Sequence, residues 1–239
     1  MKQQMVGFEG VVEGRSNALA VAIAKQIVKG PVCKRSNPFV IEGASGYGKT
    51  AILNAIALGV EAMHDGRTVY YASGDQFISE YCESLRRNEG KSFLERYETV
   101  DVLLLDQTAV LGKSDAIVDL LLQILDVRLR NKRQTVVSSG VKFDGIGGKV
   151  HMSEVVGRLM AGVVVKIGRP DRRMRITAIK RELQDAGEVL PEAVVEAIAD
   201  AGKTNMWVVG GILHRVMFAS EVSGKTALKP KNLKKLLEN

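Results

Sequence analysis

The chain has 239 residues, of which 46% are hydrophobic and 26% are charged, and its formal net charge is +7. Its two cysteines, Cys33 and Cys82, and three histidines give no disulfide framework and no zinc-ligand spacing. The N-terminus lacks an apolar stretch of signal-peptide length, and no segment is apolar for long enough to span a bilayer. We therefore predict a protein of a reducing, cytoplasmic compartment, compatible with the nucleoid, that has no membrane partner.

Short apolar runs alternate with helical patterns over the first two thirds of the chain. Strands are predicted at 38–41, 68–72, 102–106, 135–139 and 163–167. Helices are predicted at 49–63, 77–87, 114–130 and 153–160. Continuously apolar strands separated by helices are typical of a parallel sheet that is covered on both faces.

The pattern changes after Pro170. The remaining chain predicts only helices, at 172–185, 191–201, 205–221 and 230–237. We predict an α/β nucleotide-binding core over residues 1–168 and a small helical domain over residues 169–239.

The segment GASGYGKT, residues 43–50, matches the phosphate-binding pattern G-x-x-x-x-G-K-[ST] at every defined position. It follows a predicted strand and precedes a predicted helix, so backbone N–H groups and the helix N-terminus would face one anion. A Gly-rich turn without a ligand is the alternative interpretation. The residues predicted to hold the nucleotide, taken to be ATP, are Gly43, Ser45, Gly46, Tyr47, Gly48, Lys49, Thr50 and Ala51.

Asp106 ends the apolar run 102–106, where an acid holds magnesium in proteins of this kind. With the hydroxyl of Thr50 it forms the predicted Mg²⁺ site, although a helix-capping acid is an alternative. The next residue is Gln107, whose neutral amide orients water but accepts no proton at neutral pH. We predict that a site with Lys49, Asp106 and Gln107 hydrolyses ATP slowly, or needs help to do so.

Several segments together resemble a known family. Over nearly its whole length the chain resembles the AAA+ domain of DnaA-type replication initiators and their regulator Hda. The segments are FEGVVEGRSN at 8–17, NPF at 37–39, the phosphate loop, YASGDQF at 71–77, FLERYETVD at 93–101, VGRL at 156–159, LP at 190–191 and NMW at 205–207. A second stretch, 123–135, resembles DnaC-type helicase loaders, which are related to the initiators.

The resemblance implies a fold and further site residues. The fold is a five-stranded parallel P-loop sheet of the ASCE/AAA+ type, flanked by helices and followed by a helical lid. Phe8, Val11, Val12 and Asn17 would border the adenine, although core packing is the alternative for the three apolar residues. A serine, Ser138 or Ser139, would take the polar sensor position; Ser139 is the one assigned to the nucleotide.

Arg158 would enter the ATP site of a neighbouring subunit, and a plain surface arginine is the alternative. Three residues depart from the family pattern. Gln107 replaces a second acid, Gly140 stands where initiators have an acid, and Trp207 stands where the lid offers an arginine. Trp207 is expected to pack between lid and core, and not to sense the γ-phosphate.

The resulting hypothesis is an ATP-binding factor of DNA replication, initiator-like or a helicase loader, that self-assembles or joins a related AAA+ protein. A replicative helicase or a DnaA-type initiator is the expected partner. Arg86, Arg87, Lys91 and Lys113 would contact single-stranded DNA, with a solvated face as the alternative. An Hda-like regulator, suggested faintly by residues 4–8, and a non-hydrolysing ATP-bound scaffold stay open. A nucleotide kinase with a lid containing Arg172, Arg173 and Arg175 is a further alternative.

Overall fold

The computed structural model describes residues 7–32, 34–140, 150–223, 228 and 230–238. Within these residues a parallel sheet is built in the strand order β2-β3-β4-β1-β5. The strands are β1 (Phe39–Glu42), β2 (Val69–Ser73), β3 (Val102–Asp106), β4 (Gln134–Ser139) and β5 (Val163–Lys166). The predicted five-stranded parallel sheet flanked by helices is therefore confirmed.

Helices connect the strands. The helices along this part of the chain are α1 (Ala18–Lys29), α2 (Lys49–Ala62), α3 (Gly74–Arg86), α4 (Gly90–Thr99), α5 (Asp115–Arg130) and α6 (Val150–Met160). Short 3₁₀ turns cover Lys34–Ser36 and Thr108–Lys113. The prediction missed α1, although its apolar residues recur at helical spacing, and it gave one helix over 77–87 where α3 begins at Gly74 and α4 follows.

The register of the sheet places the strand ends side by side. Glu42 of β1 pairs with Ser139 of β4, and Ser73 of β2 pairs with Asp106 of β3. Because all the pairs are parallel, these residues share the carboxyl edge of the sheet, where α/β proteins bind ligands. The core beneath this edge is apolar: every residue of β3 is buried, and Phe77, Phe93 and Tyr97 pack as a cluster of T-shaped and tilted rings.

The chain divides into two compact units. The first contains the sheet and comprises Asn17–Ala44, Gly48–Ile167 and the described residues up to Val11. The second comprises Val12–Ser16, Ser45–Tyr47 and the described residues from Gly168 onwards. The division into domains at residue 168 stays a prediction.

The second unit contains its own hydrophobic core. Its helices are α7 (Arg172–Asp185), α8 (Glu192–Ala201), α9 (Met206–Ser223) and α10 (Pro230–Glu238). Asp171 caps α7 because its carboxylate accepts a hydrogen bond from the Met174 N–H at 2.8 Å. The buried residues of this core include Ile179, Leu183, Val194, Val195, Ile198, Val209, Ile212, Leu213 and Val216. In the described part of the chain, no helix is both long and apolar enough to cross a membrane.

Candidate nucleotide site

The phosphate loop connects β1 to α2 and needs glycine for two different reasons. Gly43 directly follows β1 and lies beside Ile167, the residue after β5. A Cβ added to Gly43 would lie 2.7 Å from the Ile167 side chain and 2.9 Å from its carbonyl oxygen. Gly48 has a φ of +94°, a left-handed conformation that suits glycine, and it is the N-cap residue of α2. The loop therefore needs glycine at both ends for steric reasons.

Lys49, the first residue of α2, is buried and bends back over the loop. Its Nζ donates to the carbonyl oxygens of Gly43 at 2.6 Å and Ala44 at 3.0 Å. Burial lowers the pKa of this amine, and the nearby negative charge of Asp106 opposes that shift. The ammonium group is thus held inside the loop, beside the other candidate groups, by neutral carbonyls that an anionic phosphate can replace.

Asp106 is fully buried at the end of β3, and its carboxylate accepts hydrogen bonds from hydroxyls and a backbone N–H. Oδ2 accepts from Thr50 Oγ1 at 2.6 Å and from the Tyr71 hydroxyl at 2.9 Å. Oδ1 accepts from the Ser138 hydroxyl and, at 2.9 Å, from the Gln107 N–H. Burial, and then the Asp106 charge, raise the pKa of Tyr71, so its phenol is a neutral donor.

The Thr50–Asp106 pair fits a magnesium ion by its chemistry. A hydroxyl and a carboxylate are hard oxygen donors, and Mg²⁺ takes one or two such protein ligands with phosphate and water. The structure brings Lys49, Thr50 and Asp106 together as the sequence predicts. Their roles as nucleotide and metal ligands stay predictions, as do those of the remaining loop residues.

The structure distinguishes Ser138 from Ser139, which the sequence does not. Both are buried in β4, but the Ser138 side chain donates to Asp106 and accepts from the Gln107 N–H at 3.1 Å. The Ser139 carbonyl accepts from the Gly43 N–H at 3.2 Å. Ser138 is therefore the serine whose hydroxyl joins the Asp106 cluster, while Ser139 supports the first residue of the phosphate loop through its backbone.

Gln107 adopts a left-handed backbone conformation with a φ of +54°, and its side chain is exposed. Its N–H faces Asp106. The backbone N–H of Gln107 thus belongs to the hydrogen-bond network of Asp106. The side-chain amide of Gln107 lies outside that network and is accessible to water.

The residues predicted near the adenine lie at the N-terminal part of the described chain. Val11 and Asn17 are buried, Phe8 is half-buried beside Gly59 of α2, and Val12 is half-buried within the second unit. Burial of Phe8 and Val11 satisfies the core-packing interpretation and the adenine interpretation equally, so their contact with a base stays a prediction.

Arg158 lies near the end of α6 and is bound within its own chain. Its Nε donates to Asp126 Oδ1 of α5 at 2.9 Å, and its Nη1 lies 3.9 Å from Glu154. The Asp126 hydrogen bond raises the pKa of Arg158. The side chain is 36% exposed, so it is accessible from outside the molecule.

Trp207 is 65% exposed, and its expected packing between lid and core stays a prediction. Within the second unit its indole lies against Gly46, where an added Cβ would overlap the ring, and the adjoining Met206 N–H donates to the Gly46 carbonyl at 3.0 Å. The start of α9 therefore holds the tip of the phosphate loop through a backbone bond.

The other predicted contacts are distributed as follows. Three of these residues are exposed: Arg86 ends α3, Arg87 directly follows it, and Lys91 lies on α4. Arg87 pairs with Glu83 at 2.5 Å. The side chain of Lys113 lies outside the described part of the chain, as do residues 4–6 of the segment that suggested an Hda-like regulator.

Tyr71 is the site residue that the sequence analysis missed. The alternation of β2 places Tyr71 on the same face as Ser73, whose register partner is Asp106. The strand alternation predicts a contact between Tyr71 and Asp106 only when β2 is known to pair with β3.

Comparison with known proteins places the chain in a family. The bacterial DnaA ATPase domain matches residues 2–166. The chromosomal replication initiator protein DnaA of Flavobacterium psychrophilum is 28% identical over 222 residues, which are 91% of this chain and 45% of the relative. The chain thus spans less than half the length of this relative.

Solved structures agree with the fold. Domain III of the Thermotoga maritima replication initiation protein DnaA is 25% identical, with a TM-score of 0.88, and the match covers 99% of this chain and 97% of that one. A replication initiator DnaA bound to AMPPCP and single-stranded DNA is 24% identical, with a TM-score of 0.82 over 98% of this chain and 70% of that one. The chain belongs to the family of bacterial DnaA ATPase domains.

Proposed function

We propose that this chain binds ATP and Mg²⁺ as a cytoplasmic AAA+ factor of DNA replication, assembles through the bound nucleotide and hydrolyses it slowly. The observation that carries the proposal is the cluster of Lys49, Thr50 and Asp106 at the carboxyl edge of the sheet. It combines a cation for the phosphates with two oxygen donors for the metal. A solved initiator of the same fold holds AMPPCP, which supports the same class of ligand here.

Assembly is proposed to use Arg158. Its bond to Asp126 joins two side chains that are 36% and 40% exposed, and such surface pairs are weak because water screens them. The guanidinium can therefore exchange this carboxylate for a phosphate oxygen of ATP bound by a second copy or a related AAA+ protein. A planar, permanently charged fork suits bidentate phosphate binding.

Single-stranded DNA is the proposed ligand of the assembled form. The proposed task of this form is to load a replicative helicase or to cooperate with a DnaA-type initiator. Arg86, Arg87 and Lys91 are exposed, and cations along one surface bind backbone phosphates without sequence preference. The solved initiator bound to single-stranded DNA supports this class of ligand.

Slow hydrolysis is proposed because of Gln107. The side chain in the position of a general base is an amide, which accepts no proton at neutral pH. ATP would then act chiefly as a ligand that drives assembly.

The nucleotide-kinase alternative requires arginines that are available to a small substrate. Arg175 is buried and donates to the carbonyls of Ala199 at 2.7 Å and Pro170 at 2.6 Å. Arg172 pairs with Asp200 at 2.8 Å and Glu196 at 3.3 Å. The buried Arg175 is therefore unavailable to a small substrate, and we favour the replication factor, which is the class that the family match supports.

Sedimentation with labelled single-stranded DNA tests the proposal. The wild-type protein should sediment with the DNA as a large species in ATP and stay small in ADP. Arg158→Ala should abolish the large species while ATP binding persists, and Lys49→Ala should abolish both. A wild-type protein that stays small and free of DNA in both nucleotides would contradict assembly on DNA and direct the search to protein partners.

A further inference from the structure

Strand β2 carries two consecutive tyrosines that serve different carboxylates. The Tyr71 hydroxyl donates to Asp106 in the candidate site at 2.9 Å. The Tyr70 hydroxyl lies 2.8 Å from both carboxylate oxygens of Glu80 on α3. Successive strand residues face opposite sides of a sheet, which explains why neighbours of identical chemistry reach different partners.

The position of the Tyr71 hydroxyl is informative because of the oxygen it contacts. Asp106 Oδ2 accepts from both Thr50 and Tyr71. Thr50 is itself a candidate metal ligand, so its hydroxyl serves the ion as well as the carboxylate. Among the described contacts of Oδ2, Tyr71 is the donor that has no ligand role of its own.

The remaining oxygen of this carboxylate is held separately. Oδ1 is bound by the Ser138 hydroxyl and the Gln107 N–H, which come from β4 and from the chain that follows β3. Tyr71 comes from the strand on the opposite side of β3 and is half-buried by its sheet position. The Tyr71 hydroxyl thus reaches the carboxylate from β2, whereas the Ser138 hydroxyl reaches it from β4.

We propose that Tyr71 is a positioning residue that orients Asp106 Oδ2 for the magnesium ion that accompanies ATP. This inference rests on the proposed ATP binding and adds a residue to it. Its consequence is specific: Tyr71 contributes to the part of ATP affinity that depends on Mg²⁺ and contributes nothing to binding of the metal-free nucleotide.

The test compares Tyr71→Phe with Tyr70→Phe, since the two tyrosines are neighbours on β2 and each hydroxyl donates to a carboxylate on another element. ATP affinity is measured by calorimetry, first in excess Mg²⁺ and then in excess EDTA. The readout is the ratio of the association constant in Mg²⁺ to that in EDTA. Loss of a hydrogen bond to a charged group predicts that Tyr71→Phe lowers this ratio about tenfold. Tyr70→Phe should leave the ratio at the wild-type value.

Thermal melting without nucleotide shows whether both variants fold. An unchanged ratio in a folded Tyr71→Phe protein overturns the proposal, and so does an equal loss of affinity with and without Mg²⁺, which would indicate a structural role. If the wild-type protein itself shows no ATP binding, the proposed function fails, and this outcome is distinct from failure at Tyr71. With Mn²⁺ in place of Mg²⁺, the affinity ratio should again fall for Tyr71→Phe and stay at the wild-type value for Tyr70→Phe.

Discussion

Among the described residues of the sheet-containing unit, two charged side chains are completely buried, Asp106 and Arg128, and their surroundings differ in kind. Asp106, at the carboxyl edge, is bound mainly by side-chain hydroxyls. Arg128 of α5 is bound mainly by backbone carbonyls. It donates to Tyr97 O and Val100 O at 2.8 Å, Gln134 O at 2.6 Å and Thr135 Oγ1 at 2.9 Å.

This difference in partners distinguishes Asp106, a candidate ligand-binding residue, from Arg128, a residue that stabilises the fold. A hydroxyl can rotate and offer its lone pair to a cation, so the partners of Asp106 can rearrange around a ligand. Backbone carbonyls are fixed by the strands and helix ends that carry them. Burial lowers the pKa of Arg128 to about 9, and the carbonyls supply the hydrogen bonds that a buried charge requires.

The largest effect is expected from Arg128→Met. The substitution keeps an apolar stem of similar length but leaves the carbonyls of Tyr97, Val100 and Gln134 without their donor. We expect the free energy of unfolding to fall by about 3 kcal/mol or more. Urea unfolding followed by circular dichroism measures it, with Arg130→Met on the exposed side of α5 as the matched control. A loss no greater than that of the control would contradict a structural role for Arg128.

Asp106→Asn should affect ligand binding more than folding. Thr50, Tyr71 and Ser138 carry hydroxyls that can reorient around an amide, so we expect a stability loss below about 1.5 kcal/mol. Mg²⁺-dependent ATP binding should be lost because the charge that attracts the metal is gone. Urea unfolding and calorimetry measure the two effects; destabilisation as large as that of Arg128→Met would remove the distinction between the two buried charges.

Gln107→Glu should sharpen the description of the site. The residue contacts Asp106 through its N–H, so a side-chain replacement leaves that bond in place. A carboxylate in this exposed position can accept a proton from water, and we expect ATP turnover to rise at least about tenfold. Phosphate release measures turnover, with Gln107→Ala as the control at the wild-type rate. An equal rate in the two variants would show that this position does not limit hydrolysis.

The smallest effect on folding is expected at the exposed pair of Arg158 and Asp126. Because both side chains are solvated, Asp126→Ala should leave the melting temperature unchanged. It should also preserve ATP-dependent association, since the arginine is then released for a neighbouring phosphate. Analytical ultracentrifugation in ATP measures the latter, and loss of association would mean that Asp126 holds Arg158 in its working position.

Much of the fold was predictable because its signals are local. The apolar runs of β1 and β3, the glycines before Lys49 and the acid cap of α7 each lie within a few residues of what they determine. The helix predicted over 172–185 has the bounds of α7. The prediction missed the break between α3 and α4, where Asn88 has a left-handed φ of +57°, a conformation that asparagine tolerates without a marked sequence signal.

The amino-acid sequence by itself determined that a phosphate loop, a strand-end acid and a neutral Gln107 occur in one chain, and its resemblance to a family over further segments indicated the class of protein. Only the tertiary structure decided that Tyr71 and Ser138 meet at Asp106 and that Arg128 is buried. The physical reason is that such contacts depend on which strands lie side by side and in which register. Local periodicity gives the faces of β2 and β4, but pairing on either side of β3 brings their hydroxyls to one carboxylate.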